Sequence, residues 1–401
     1  MNKTKFYSSL LALTVSFSIL TSPISAYAEE DAVEKIDAFN TPQSPVEEVE
    51  QKPVAEAPKV PELNKPEITI TEIAPGLTEK VYKVLRKEGP VTAYFLEADK
   101  NYYDLLPALD NDLVPGRDVV SSIAAEHGAV AAINASYFAH NGEILGVTKI
   151  NGQTAGTTYF NRTALGIKPD GTSHIGKITY DGYVTLNGVT LSIAGVDSEC
   201  GENGVVVYNK YYGKNTNTNI YVTCYTIQNE KVTAITQGNA EIPEDGVVVA
   251  VHGSSKEAFK DIMVGDNANI FENLGEEWNY DLHILGAGPG LVKDGQVNVT
   301  AGEEQFPRDI RYGRNPRAGF AITRDGNYLF GVVDGRQKNH SVGATLTEFA
   351  QMFIDLGAMD AMNFDGGGSA ELLVEGKIIN SPSDGYERKI GSVLLLMEKM
   401  Q

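Results

Sequence analysis

The chain has 401 residues and a formal net charge of −20. A field of that sign excludes nucleic acid and anionic membrane surfaces as bulk partners, so any anionic ligand needs locally placed Arg or Lys. About 42% of the residues are apolar, enough for a sizeable core, and the 40 glycines mark tight turns or close backbone approaches.

The N-terminus reads as a secretory signal peptide over residues 1–28. Lys3 and Lys5 form a positive start, Leu10 to Leu20 an apolar stretch, and Ala26-Tyr27-Ala28 a small-x-small cleavage site. The expectation is a secreted protein, free or loosely held at the cell wall. No other segment reaches the roughly 18 uninterrupted apolar residues that span a bilayer, so no stable membrane insertion is expected. Residues 29–66 are acidic, with Pro42, Pro45, Pro53, Pro58, Pro61 and Pro66 recurring, and few aromatics. Such a stretch cannot bury enough apolar surface to offset its ordering entropy, which predicts a disordered linker.

From residue 67 to the end at 401 the texture is that of a folded domain. Short β-branched runs at Val91–Leu96, Val130–Ile133, Val205–Tyr208, Ile220–Ile227, Val247–Val251, Phe320–Thr323 and Leu329–Val333 predict strands. Asp170-Gly171, Asn187-Gly188, Asp294-Gly295 and Asp325-Gly326 are hairpin turn signals. Two helices are expected. One runs from about Arg117 to His127, with Val120, Ile123 and Ala124 on one face and Gly128 as its stop. The other follows Ala344, where Thr345 and Glu348 have capping-box spacing, Leu346, Phe349, Ala350, Phe353 and Ile354 form the apolar face, and Gly357 ends it. Each helix feeds an apolar strand that ends in a loop of small polar residues. The fold class is α+β, a large mixed or antiparallel sheet system with a few packed helices. Cys200 and Cys224 could be a disulfide in an exported protein or two unpaired thiols, and the sequence leaves both open.

The chemistry concentrates in the C-terminal third. Asn363-Phe364-Asp365-Gly366-Gly367-Gly368-Ser369 follows the second helix and its strand. A glycine run there is entropically costly unless backbone amides approach a ligand, and such a run can curl into an anion-binding nest. Asp365 stands at the strand end, with Asn363 on the same side. Asn315-Pro316-Arg317 opens a strand, and Asp334-Gly335-Arg336 closes its hairpin partner. The guanidinium forks of Arg317 and Arg336 suit a phosphate. Asn380-Ser381-Pro382-Ser383-Asp384-Gly385, followed by Arg388, forms a third loop. In Asn134-Ala135-Ser136-Tyr137-Phe138, Asn134 and Tyr137 could bond sugar hydroxyls, and an aromatic ring could stack on a sugar face. Ser369 is not in a nucleophile elbow, because Glu371 stands where the second glycine is required. There is no phosphate-loop motif with a Lys-Ser/Thr ending and no His-rich metal motif.

Taken in order and spacing, the Asn315–Arg336 run, the capped helix leading into Asp365–Ser369, and the Asn380–Arg388 loop resemble the phosphodiester glycosidase family. The resemblance runs over about residues 115–398 and is densest from 284. The family includes the lysosomal-pathway enzyme that removes N-acetylglucosamine from a phosphodiester-linked mannose 6-phosphate, and bacterial members associated with exopolysaccharide. The resemblance implies a hydrolase acting on a sugar 1-phosphodiester in a cell-surface or exopolysaccharide glycan. It implies catalytic roles for Asp334, Arg336, Asp365 and Asp384. It implies substrate contacts from Asn134, Tyr137, Arg317, Asn363, Gly366, Gly367, Gly368, Ser369, Ser383 and Arg388. The chain departs from the family pattern at Ala135-Ser136, Ala370-Glu371 and Gly385-Tyr386, which leaves the sugar open. Hence the alternative expectation of a non-catalytic binder of anionic wall glycans. The oxygen donors of Asp334, Asp365 and Asp384 would suit Ca²⁺ or Mg²⁺, and the residues do not decide whether a cation is held.

Overall fold

The computed structural model describes residues 63–399. The expected signal peptide and all but the last residues of the expected linker lie outside them. The described residues lie within one compact unit. Its first regular element, Glu67–Ala74, begins where the acidic Pro-rich stretch ends.

The protein is built mainly from β-sheet. Its largest sheet has eight strands, all paired antiparallel. Its order is Glu67–Ala74, Leu77–Arg86, Gly89–Ala98, Tyr328–Val333, Arg317–Thr323, Ala358–Asn363, Gly290–Lys293, Gln296–Val297. Side chains of alternate residues go to opposite faces. On one face Phe95, Ala321, Leu329 and Val333 pack under the helix Leu346–Asp355, whose Phe349 and Phe353 fill the space between. On the other face Leu96, Phe320, Phe330 and Met362 meet a second, five-stranded antiparallel sheet through Leu105, Ile133, Leu372, Leu394 and Leu396. The outer face of that second sheet is covered by the helix Val120–His127 through Val120, Ile123 and Ala124. The core is thus layered helix, sheet, sheet, helix. Further sheets hold residues 148–177 with 283–286, and residues 181–273. The exception to antiparallel pairing within the sheets is Gly195–Val196 beside Val205–Tyr208.

Local chemistry explains the element boundaries. Thr345 accepts from the Glu348 amide at 3.2 Å while the Glu348 carboxylate accepts from the Thr345 amide at 2.9 Å, so the capping box forms as expected. Gly128 (φ 65°) and Gly357 (φ 96°) supply the left-handed turns after the two helices. Asn187-Gly188 and Asp294-Gly295 both have positive φ at both positions and close tight hairpins. Two boundaries move. The first helix starts at Val120 rather than Arg117, because Asp118 is drawn into an antiparallel bridge with Ile390. The strand expected from Ile220 starts at Thr223, because Asn219 folds the chain into a turn by accepting from the Tyr221 amide. Cys200 and Cys224 are free thiols around the same small apolar cluster, so the unpaired reading of the cysteines holds here.

The Thr345 cap supports the helix behind the site strands. Thr345→Ala is expected to destabilise the protein by about 1 kcal/mol, read as a lower denaturation midpoint at unchanged m-value. An unshifted midpoint would show that tertiary packing alone sets this helix end.

Candidate active site

Asp334 ends the strand Tyr328–Val333, and Asp365 lies just past the strand Ala358–Asn363; both strands flank Arg317–Thr323 in the large sheet. The loops leaving them meet the segment 380–388, which precedes the last strand of the second sheet, Ser392–Glu398. Sequence-distant segments therefore converge where the two sheets end.

The glycine run is the centre. Its residues have no room for a side chain. A Cβ on Gly366 would lie 2.7 Å from the Pro316 carbonyl oxygen, and one on Gly367 would lie 3.2 Å from Arg336 Nη2. One on Gly368 would collide with Arg388 and the Asp384 carboxylate. So the loop threads between Arg336 on one side and the Arg388–Asp384 pair on the other. Gly366 and Gly367 turn their amides inward, to Asp365 Oδ1 at 3.0 Å and the Pro316 carbonyl at 3.0 Å. The anion nest expected of the run is therefore not made by those two amides.

The three aspartates differ in what they already hold. Asp334 is buried and accepts at Oδ1 from Asn380 Nδ2 (3.0 Å) and the Ser381 amide (2.9 Å). Its Oδ2 accepts from His340 Nε2 at 2.7 Å. Asp384 Oδ2 takes both Nε and Nη2 of Arg388, at 2.8 and 2.5 Å. Asp365 Oδ1 accepts from the Gly366 amide at 3.0 Å, and the Ser369 hydroxyl also bonds its carboxylate. Desolvation pushes its carboxyl up to about 6, against the pull of Ser369, the Gly366 amide and Arg388. Among the described residues no cluster of three or more His, Cys, Asp or Glu side chains could hold a metal.

Of the expected phosphate-binding arginines, Arg336 is exposed, sits at φ 62°, and has no ion pair among the described residues. Arg388 is half-exposed and oriented by Asp384. Arg317 is corrected to an internal brace. It is buried and donates to the carbonyls of Ala344 (3.0 Å), Ile310 (3.1 Å) and Gly313 (2.7 Å). Burial lowers its guanidinium to about 10.

Asn134 and Tyr137 are likewise committed inside the protein. Asn134 donates from Nδ2 to the Asp365 carbonyl at 2.6 Å and accepts at Oδ1 from the Glu371 amide at 3.1 Å. The Tyr137 hydroxyl accepts from Asn363 Nδ2 at 3.0 Å and lies 3.3 Å from the carbonyls of Gly288 and Phe364. Its ring packs on Phe306 and under the Arg162 guanidinium. Asn363 thereby anchors Tyr137, while its Oδ1 is buried without a partner among the described residues, as is the Ser383 hydroxyl.

Two groups were not assigned from the sequence. His340 had no signal beyond its place in the loop after Asp334-Gly335-Arg336. Glu371 stood out only as a departure from the family pattern. It is fully buried, accepts from the Arg388 amide at 2.9 Å, and leaves Oε2 without a partner. Desolvation pushes its carboxyl up to about 8, with Glu387 and Asp384 adding to the effect and Arg388 opposing it.

With this geometry in view, the relatives can be placed. Residues 202–397 match the phosphodiester glycosidase family. That is a family of hydrolases, and the resemblance drawn from the motifs stands on it. The phosphodiester glycosidase match takes in every loop of the site except the Asn134 segment. That segment lies before residue 202 yet is hydrogen-bonded into the loop. A prophage-derived protein of Bacillus subtilis is 37% identical over 109 residues, which is 27% of this chain and only 16% of that protein. A solved structure of a protein from Synechocystis matches with a TM-score of 0.74 at 24% identity, covering 84% of this chain and 64% of that one. One from Burkholderia pseudomallei matches with a TM-score of 0.67 at 22% identity, covering 77% of this chain and 74% of that one. At those identities the two structures establish a shared fold.

The Glu371 carboxyl gives a stability test. A group that ionises near 4.5 when unfolded and near 8 when folded stabilises most at low pH. Its contribution is lost as pH rises from about 4.5 to about 8. Glu371→Gln should flatten that part of the stability–pH curve and be more stable than the natural chain, relative to their difference at pH 4, once the pH passes 8. Parallel curves for the two proteins would show that Glu371 ionises normally.

Proposed function

We propose that this chain is an exported hydrolase that cleaves the anomeric C–O bond of a sugar 1-phosphodiester in a cell-surface or exopolysaccharide glycan. The single observation that carries the reading is Asp365. A carboxyl raised to about 6 stands at a strand end, in a glycine loop flanked by Arg336 and Arg388.

The chemistry follows from charge. A phosphodiester carries one negative charge, and its departure from the sugar creates a second. Arg336, without an ion pair among the described residues, and Arg388, aimed by Asp384, are suited to hold those oxygens. Asp365, still protonated in part near neutrality, gives its proton to the departing phosphate oxygen. Asp384 and Asp334 act through the side chains they hold rather than on the substrate. The family match supports hydrolysis of this bond class. Phosphorylated glycan is the expected partner.

Asp365→Asn is expected to lower kcat/KM on a glycosyl phosphodiester by about 10²–10⁴-fold with the fold intact. In the natural chain kcat/KM should fall as pH rises through about 6, where Asp365 loses its proton. Full activity of the variant would remove Asp365 from the chemistry. Tight binding of anionic glycans by the natural chain without product over long incubation would favour the binding-protein reading instead. Arg336→Ala should raise KM about tenfold or more while leaving thermal stability unchanged, since it has no internal partner to lose. An unchanged KM would take Arg336 out of substrate binding.

A further inference from the structure

We propose that His340 is the general base of this reaction, taking a proton from the attacking water at Nδ1, and that Asp334 is the positioning residue that holds its ring. The assignment rests on the hydrolase reading above.

The geometry is that of a braced imidazole. Asp334 has a fully buried side chain, while the His340 side chain is 37% exposed. The 2.7 Å contact joins Asp334 Oδ2 to His340 Nε2. A carboxylate acceptor there places the ring proton on Nε2 and leaves the Nδ1 lone pair available. The carboxylate cannot swing, because its other oxygen accepts from Asn380 and the Ser381 amide.

The His340 backbone is fixed as well. Its amide donates to the Gln337 carbonyl at 2.9 Å, and its carbonyl accepts from Thr92 Oγ1 at 3.2 Å. Ser341, the next residue, donates its hydroxyl to the Asp334 carbonyl at 2.5 Å and receives the Thr92 amide at 3.1 Å. Gln337 ties the same loop to Ser381 with a 2.8 Å bond. The loop joins the strand Tyr328–Val333 to the helix Leu346–Asp355, and these ties hold His340 in place, as a base must be held before the substrate arrives. Arg336 lies on the same loop and points its guanidinium at Gly367, which puts the loop's cation on the side of the glycine run.

The charged and titratable groups around the ring are few. Asp334 touches it, and Arg336 and Lys338 share its loop. Tyr94, from the strand Gly89–Ala98, faces Asp334, and burial raises its hydroxyl. Among the other carboxylates of the site, Asp384 is paired with Arg388 and Glu371 is sealed beneath the Arg388 amide.

The step balances. The water oxygen forms a bond to the anomeric carbon, and one water proton passes to His340 Nδ1. The anomeric C–O bond breaks, and its electron pair leaves with the phosphate oxygen, which takes the proton of Asp365. The products are the free sugar and a phosphomonoester. The proton on His340 returns through solvent to restore Asp365.

The test compares the natural chain with His340→Gln, His340→Ala and Asp334→Asn on a defined glycosyl phosphodiester, with and without sodium azide. Gln keeps a hydrogen bond to Asp334, so it guards against a variant that fails to fold. The expected result is a fall in kcat of about 10²–10⁴-fold for both His340 variants, with little change in KM. Azide needs no deprotonation, so it should restore turnover in His340→Ala and yield a glycosyl azide. A purely structural histidine would not respond to azide. Natural-level kcat in His340→Gln, or a loss that azide leaves untouched in a folded His340→Ala, would overturn the assignment while leaving the hydrolase reading intact. A natural chain that releases no sugar from any phosphodiester would overturn both.

Discussion

The site depends on one buried amide. Asn134 belongs to the second sheet, yet it donates to the carbonyl of Asp365 and accepts from the amide of Glu371. It thus grips both ends of the loop that contains the glycine run. Two backbone bonds from the same strand end reinforce it, from the Asn134 amide to Glu371 and from the Asp365 amide to the Ala135 carbonyl. Glycines have the largest conformational entropy to lose, and a run of them holds one shape only if its ends are fixed from outside. The layered packing of the two sheets is what brings Asn134 within reach. Fold and site are coupled through that contact.

With the loop fixed, environment gives similar carboxylates different roles. Asp334 is surrounded by donors, Asp384 faces a guanidinium, and Asp365 is desolvated by more than Ser369, the Gly366 amide and Arg388 offset. Separating the environments of neighbouring acids is how one site can hold both fixed negative charge and a mobile proton. The same separation applies to the cations. In a chain of net charge −20, Arg336 is left free, Arg388 is aimed by its partner, and Arg317 is buried among carbonyls. Only the first two can meet an anion.

Much of the fold was legible because its signals are local. The capping box, the glycine stops and the Asn-Gly and Asp-Gly turns act within a few residues, so the helices and hairpins fall where they were expected. The small polar loops after the strands pointed to the segments of Asp334, Asp365 and Asp384, and the structure sets Asn380 and Ser381 on Asp334 and Asp384 beside Gly368. What stayed hidden depends on contacts far apart in sequence. Nothing near Asn134 announces that its partners are Asp365 and Glu371, so a side chain available to a sugar and one closing a loop look alike. Arg317 reads as a phosphate ligand until the carbonyls of residues 310, 313 and 344 are placed around it. His340 carries no motif of its own, and only the buried oxygen of Asp334 gives it significance. The early start expected for the first helix failed for the same reason, since Ile390 captures Asp118.

The central claim is that this site exchanges the bond between a sugar's anomeric carbon and a phosphate for one to water. Hydrolysis of a defined glycosyl phosphodiester in ¹⁸O-enriched water, with both products read by mass spectrometry, tests it most directly. The label should appear in the anomeric hydroxyl of the released sugar and be absent from the phosphomonoester. Label in the phosphate would place the attack on phosphorus and contradict the account.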